Sequence, residues 1–129
     1  MSAFSNALGV SASGLKAQAH RLRIVAENVA NTDTPGYHRK TIAFSEEHAL
    51  SGISNVALER VSLDRRDGER IYDPGHPLAD ETGHYTGSNV DLIVEIADAR
   101  EAQRSYEANL KMFDQARQMS SGLMDLLRK

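Results

Sequence analysis

Residues 3–30 read AFSNALGVSASGLKAQAHRLRIVAENVA, with apolar side chains that alternate between spacings of four and three residues. At about 100° per residue these positions form one narrow stripe, which predicts a long amphipathic helix. The stripe consists of Leu8, Ala12, Leu15, Ala19, Leu22, Ala26 and Val29. Three further apolar residues, Val10, Ala17 and Ile24, recur every seven residues on nearly the opposite side. One neighbour cannot cover both sides, so the pattern favours a helix with at least two neighbours, although amphipathic helices also carry stray exposed apolar residues.

The last third of the chain predicts a second, longer helix. Its apolar stripe consists of Leu92, Ile96, Ala99, Gln103, Tyr106, Leu110 and Phe113. Ser88 is the predicted N-cap, with Asp91 three residues later as in a capping box. After Phe113 the apolar positions shift to Ala116, Met119, Leu123 and Leu126, which again requires more than one neighbour. At 1.5 Å per residue the two helices would be ~40 and ~55 Å long, so an elongated molecule is expected.

Turn residues fill the segment between the helices, residues 32–88. Short strands are predicted over residues 37–44, 55–63 and 69–72, with the last two joined by a turn at Asp67-Gly68. The predicted fold is therefore mainly α, with a small β segment. Residues 1–31 and 89–129 form a helical domain whose helices pack as a coiled-coil-like hairpin, and residues 32–88 form an extended middle segment.

The composition excludes several classes of protein. A length of 129 residues fits one domain, and with 40% hydrophobic and 5% aromatic residues its core should be thin. The sequence contains no run of about 18 apolar residues, so no membrane span is predicted. The first residues do not resemble a cleaved signal peptide. The chain has no cysteine, which excludes disulfides and thiolate metal sites. The sequence lacks a dense basic stripe with interleaved aromatic residues, so nucleic-acid binding is not predicted.

One cluster of reactive side chains could carry chemistry, formed by Asp73, His76, Asp80, Glu81 and His84. By residue type it could hold a metal or act as an acid–base pair in a small hydrolase. Its spacing matches no zinc motif, however, and the stretch contains two prolines and two glycines. A polar surface loop is therefore the favoured interpretation, with no catalytic residue, metal or cofactor expected and no enzyme activity.

The strongest local signal is NVANTDTPGY at residues 28–37, where the first helix should end. Asparagine can end a helix by adopting left-handed geometry and by capping carbonyl groups. Pro35 and Gly36 suit the central positions of a type II turn, because proline fixes φ and glycine accepts a positive φ. Tyr37 would then begin an extended segment.

This stretch resembles the signature of the axial proteins of the bacterial flagellum, through Asn28, Asn31, Thr34, Pro35, Gly36 and Tyr37. Three further stretches strengthen the resemblance. They contain Asp73, Pro74, Gly75, His76 and Pro77; Asn89, Val90 and Asp91; and Arg104, Ser105, Tyr106 and Asn109. Together they are similar, from end to end, to the short proximal-rod subunits of that family, with Glu107 in a position where glutamine would be expected.

The resemblance implies a structural subunit that polymerises with copies of itself and other rod proteins into a helical tube, which transmits torque and houses the export channel. It also implies export through the flagellar type III apparatus, without a cleaved signal peptide, to the periplasmic rod. The terminal helices would form the inner wall and the middle segment would lie outside. The expected interface residues are Leu8, Val10, Leu15, Leu22, Ile24, Val29, Leu92, Ile96, Tyr106, Leu110, Phe113 and Leu123. A helical adaptor or secretion chaperone is the alternative, because amphipathic helices serve many partners.

Overall fold

The computed structural model describes residues 3–48, 52–58 and 60–128. Helix α1 spans Ala3–Ala30 and helix α2 spans Leu92–Leu127, close to the predicted limits. Between them lie six short strands: β1 (Lys40–Thr41), β2 (Phe44–His48), β3 (Ser54–Leu58), β4 (Ser62–Leu63), β5 (Arg70–Tyr72) and β6 (His84–Thr86). At 1.5 Å per residue the helices are ~42 and ~54 Å long, which gives the elongated shape that was expected.

The two helices lie side by side and run in opposite directions. Gly14 faces Asn109, and further along the pair Asn28 reaches Glu95. The start of α1 is as many residues from Gly14 as residue 120 is from Asn109. Residue 120 therefore lies beside the start of α1. The remaining turns of α2 therefore extend past the start of α1, and residues 121–127, here called the α2 tail, are all exposed.

The face that α1 buries is the weaker of its two predicted apolar faces. Its buried residues are Ser11, Gly14, Ala17, Ile24, Val25 and Asn28. The stronger stripe points away: its alanines and Val29 are exposed, and its three leucines are only half-buried. Small side chains explain this choice, because they let the two backbones approach closely.

On α2 the buried residues are Glu95, Ala102 and Ala116. Leu92, Ile96 and Leu110 of the predicted stripe lie to one side of this face and are exposed. The leucine-rich stripes of both helices are thus left largely outside the contact between α1 and α2.

The middle segment differs from the prediction in its pairing. The strands form three separate antiparallel pairs, β1 with β4, β2 with β3 and β5 with β6, so the predicted hairpin across Asp67-Gly68 is wrong. A two-residue type I′ turn needs positive φ at both central residues, and neither Asp67 nor Gly68 has one. Strand β6 was not predicted. Residues 37–44, predicted as one strand, contain β1 and the first residue of β2, and residues 55–63 contain most of β3 and all of β4.

The hairpin formed by β2 and β3 rests on α1. The Ser13 hydroxyl accepts a hydrogen bond from the Val56 amide at 3.0 Å and donates one to the Val10 carbonyl at 2.7 Å. Helix α1 is therefore covered by α2 on one side and by this hairpin on another.

The core is thin, as the composition predicted. The buried apolar residues are Ala17, Ile24, Val25, Ala102 and Ala116, and the largest fully buried side chains are the polar Asn28 and Glu95. Within the described ranges, neither helix is long and apolar enough to cross a membrane.

The start of α2 also differs from the prediction. Asp91 is the N-cap, and its carboxylate accepts a hydrogen bond from the Ile93 amide at 3.0 Å. Ser88 instead donates its hydroxyl to the Thr32 carbonyl. The backbone amide of Asn89 donates a hydrogen bond to the Tyr37 carbonyl at 3.1 Å, which keeps the residues before Asp91 extended.

Candidate assembly site

The end of α1 is tied to the middle segment by the side chain of Asn28, which is only 1% exposed. Its Oδ1 accepts from the Tyr37 hydroxyl at 2.9 Å and from the Lys40 amide at 2.8 Å. Its Nδ2 donates to the Lys40 carbonyl at 2.9 Å and to Glu95 Oε2 at 3.3 Å. Every hydrogen-bonding position of this amide is used, as burial demands.

Glu95 lies at the centre of the same cluster and is 0% exposed. Its Oε1 accepts from Arg39 Nε at 2.6 Å, and Arg39 Nη1 lies 3.9 Å from Asp64 Oδ2. The buried carboxylate thus has both a charge partner and a second donor, which compensates the loss of water.

Asn89 completes the cluster from the segment before α2. Its Oδ1 accepts from the Arg39 amide at 2.6 Å, and its Nδ2 donates to the carbonyls of Asp64 and Arg66, both at 2.9 Å. We call Asn28, Tyr37, Arg39, Asn89 and Glu95 the junction network. It fixes the angle at which the middle segment leaves the two helices.

Sequence reasoning singled out Asn28, Tyr37 and Asn89 but missed Glu95 and Arg39. Glu95 and the buried Ala102, seven residues apart, lie outside the predicted apolar stripe of α2, so hydrophobic periodicity gave no signal for the burial of Glu95.

The predicted type II turn is present at Thr34-Pro35-Gly36-Tyr37. The Tyr37 amide donates to the Thr34 carbonyl at 3.2 Å, and Gly36 has φ 73°. The predicted left-handed asparagine is wrong: among the described residues only glycines have positive φ. Asn31 ends the helix through its side chain instead, since its Nδ2 donates to the Glu27 carbonyl at 2.8 Å.

The Tyr37 hydroxyl is held in its donor form by its surroundings. Burial raises the pKa of Tyr37, so the hydroxyl keeps its proton and donates it to Asn28. The turn and the junction network are therefore one connected structure.

The histidine-containing loop forms a second compact structure. The His76 amide donates to the Asp73 carbonyl at 3.0 Å, and the His76 ring stacks on Tyr85 with centroids 3.9 Å apart. The ring of His84 packs against Tyr72 at 5.0 Å. Each histidine ring is therefore packed against a tyrosine.

Asp80 organises the same loop as a hydrogen-bond acceptor. Its carboxylate accepts from the Thr82 hydroxyl at 2.6 Å, from Arg70 at 2.7 Å and from the His84 amide at 3.2 Å. These hydrogen bonds hold the pKa of Asp80 well below its usual range. Across the part of the chain that the structure describes, no three His, Asp or Glu residues are grouped so that they could hold a metal ion.

The motif near the middle of α2 lies partly at the helix contact. A Cβ on Gly14 would lie 2.7 Å from Asn109 Oδ1, and Asn109 Nδ2 donates to the Ser105 carbonyl at 2.9 Å. Tyr106 is half-buried and Arg104 is exposed.

The residues expected at an assembly interface divide into exposed, buried and half-buried groups. Exposed are Val29, Leu92, Ile96, Leu110 and Leu123, while Ile24 is buried within the chain. Half-buried are Leu8, Val10, Leu15, Leu22, Tyr106 and Phe113. The described chain therefore leaves long apolar stripes uncovered along both helices, and surfaces of that extent mark protein–protein contacts.

Comparison with known proteins agrees with this arrangement. Residues 1–38 match the family model "Flagella basal body rod protein", and residues 81–126 match "Flagellar basal body rod FlgEFG protein C-terminal". The flagellar basal-body rod protein FlgC of Agrobacterium fabrum is 44% identical over 99% of this chain and 98% of its own length. The chain belongs to the FlgC family.

More distant FlgC proteins match over most of the chain as well. Those of Aquifex aeolicus and Salmonella typhimurium are 39% and 31% identical, over 84% and 91% of this chain and 85% and 92% of their own lengths. As a member of the FlgC family, the protein is a structural subunit of the flagellar basal-body rod and not an enzyme. The hydrolase and adaptor hypotheses are therefore wrong.

Proposed function

We propose that this FlgC-family chain polymerises in the proximal rod with copies of itself and with related rod proteins. The product is a helical tube that transmits torque and surrounds the export channel. The observation that carries this proposal is the incompletely covered stripe on each helix, with the half-buried Leu15 and Leu22 on α1 and the exposed Ile96 and Leu110 on α2. A free chain would leave these side chains in water, whereas neighbours in a tube would bury them.

In this proposal residues 1–31 and 89–129 form the tube-core domain, and residues 32–88 lie outside. The contacts between the helices support a coiled-coil-like hairpin, because Gly14, Arg21 and Asn28 recur every seven residues and each meets α2. The junction network at one end of the hairpin would hold the middle segment at a constant angle in every subunit.

The proposal includes export through the flagellar type III apparatus to the periplasm, without removal of a signal peptide. The thin core supports this route, because a chain that buries few large apolar side chains needs little free energy to unfold for transport. Assembly would then bury the outward stripes and complete the fold.

The test is imaging of purified basal bodies from cells that carry a small epitope tag after Gly52. This glycine is exposed, lies between the paired strands β2 and β3, and has open space around it, since a Cβ added there would meet no atom within 4 Å. We expect the tag on the outside of the rod near its base, with swimming close to that of the untagged strain. A tag inside the channel, or its absence from the rods of swimming cells, would contradict the proposal.

A further inference from the structure

The outward face of α1 carries a pair of basic residues, and the outward face of α2 carries a pair of acidic residues at the same spacing, among the exposed cations Arg100, Arg104 and Lys111. On α1, Lys16 and Arg23 are both exposed and seven residues apart. On α2, Glu107 is exposed, the Asp114 side chain is 49% exposed, and these two residues are also seven residues apart.

Both pairs point away from the contact between α1 and α2. Counted from Gly14, which faces Asn109, Lys16 and Arg23 lie about 200° and 180° around α1. Counted from Asn109, Glu107 and Asp114 lie about 160° and 140° around α2. The basic pair and the acidic pair therefore occupy opposite edges of the two-helix layer.

We infer that the edge of α1 that carries Lys16 and Arg23 in one copy of the chain docks on the edge of α2 that carries Glu107 and Asp114 in a second copy. This inference rests on the proposed function and names the contact through which assembly proceeds. Because the two complementary surfaces lie on opposite edges, the contact is heterologous and repeats from copy to copy without closing on itself as a pair.

The charges also select the register of the contact. Copies with the same orientation place α1 of one beside α2 of the next, running in opposite directions as within the chain. Lys16 then faces Asp114 and Arg23 faces Glu107. A shift that paired Lys16 with Glu107 would bring Arg23 against Arg100, and like charges in contact disfavour that register.

The remaining basic residues of this edge fit the same register. Counted along the two helices, three exposed alanines on the outward side of α1 face three cations of α2, so none of these cations lies directly opposite Lys16 or Arg23. The facing pairs are Ala19 with Lys111, Ala26 with Arg104 and Ala30 with Arg100. In α2 itself Asp114 lies 3.5 Å from Arg117, in an exposed pair that can yield to a neighbour.

Charge exchange in cells that lack the chromosomal copy tests the contact. Lys16→Glu with Arg23→Glu should lower the amount of the chain in purified basal bodies by about tenfold or more, and so should Glu107→Arg with Asp114→Lys. Combining all four substitutions should restore incorporation and swimming. Glu81→Arg is the control: it reverses a charge at an exposed position of the middle segment, outside both edges, and should leave incorporation unchanged.

Cysteine cross-linking tests the identity of the partner, since the natural chain has no cysteine. Two tagged versions, Lys16→Cys and Asp114→Cys, should form a covalent heterodimer when produced together. Ala108 lies on another side of α2. When Ala108→Cys is produced together with Lys16→Cys, no covalent heterodimer should form. A cross-link from Lys16→Cys to a different rod protein, or failure of the four-fold variant to recover, would overturn the inference. Absence of the unmodified chain from rods would instead overturn the proposed function.

Discussion

At the scale of single residues, a polar cluster takes the place that large apolar side chains occupy in most small domains. Asn28 and Glu95 are the largest fully buried side chains, and their polar atoms are paired. In a low-dielectric interior such a cluster stabilises the fold most when every polar group in it has a hydrogen-bond partner. Removal of one member therefore affects all the others.

Glu95→Ala should lower the free energy of unfolding by about 3 kcal/mol, because it leaves Arg39 desolvated without its nearest carboxylate. Urea denaturation of the purified chain measures this change. Glu101→Ala is the control: it removes a carboxylate from the same helix, but from an exposed position, and should cost less than about 0.5 kcal/mol. Equal effects of the two substitutions would show that the junction network does not stabilise the chain.

Gly36→Val should reduce rod incorporation more than His76→Ala. Gly36 has φ 73°, where a β-branched residue costs about 1 to 3 kcal/mol, although the space around it is open. His76→Ala loses one ring stack on Tyr85 and the hydrogen bond that His76 Nδ1 accepts from the Leu78 amide at 3.1 Å. Both variants are compared at equal cellular abundance, and Gly36→Asn should lie between them because asparagine tolerates positive φ. A silent Gly36→Val with an inactive His76→Ala would refute the role of the turn.

At the scale of secondary structure, periodicity predicted both helices because each pattern extends over many turns. The strands were harder to predict, since each has only two to five residues and its partner is set by contacts with distant residues such as Asn89. The sequence showed two apolar faces on α1 but did not decide which of them packs on α2, and Ile24, expected at an assembly interface, is buried within the chain instead. A pattern weighted by side-chain size favours leucine, whereas a residue without a side chain, Gly14, lies against Asn109 in the contact between the helices.

Leu15→Asp and Leu110→Asp should each stop assembly while the chain keeps its fold. Both leucines lie outside the buried contact between the helices, so a carboxylate there is hydrated in the free chain. In a dry contact with a neighbour the same carboxylate costs about 3 to 5 kcal/mol. Circular dichroism reports the fold, and counting of the chain in basal bodies reports assembly. Lys16→Ala, which removes a single exposed charge, should have only a mild effect on assembly. Swimming that is unchanged in both Asp variants would rule out these stripes as packing surfaces.

At the scale of the whole molecule, stability should be graded along the helix pair. The junction network ties the two helices at one end, whereas the α2 tail has no neighbour along α1. Hydrogen exchange on the dilute chain should therefore be slowest near residues 21–28 and 95–102 and fastest over residues 121–127. The unassembled chain should also be monomeric. Slow exchange along all of residues 3–30 at low concentration would contradict this gradient.

The thin core has a consequence for how temperature acts on the protein. Unfolding exposes little additional apolar surface, so the heat-capacity change per residue should be small and the stability of the free chain should vary little with temperature. In the proposed assembly Leu15, Ile96, Leu110 and their neighbours would lose their remaining exposure to water, so polymerisation should carry a large negative change in heat capacity. Cooling would then weaken the joints between subunits before it weakens the subunits themselves.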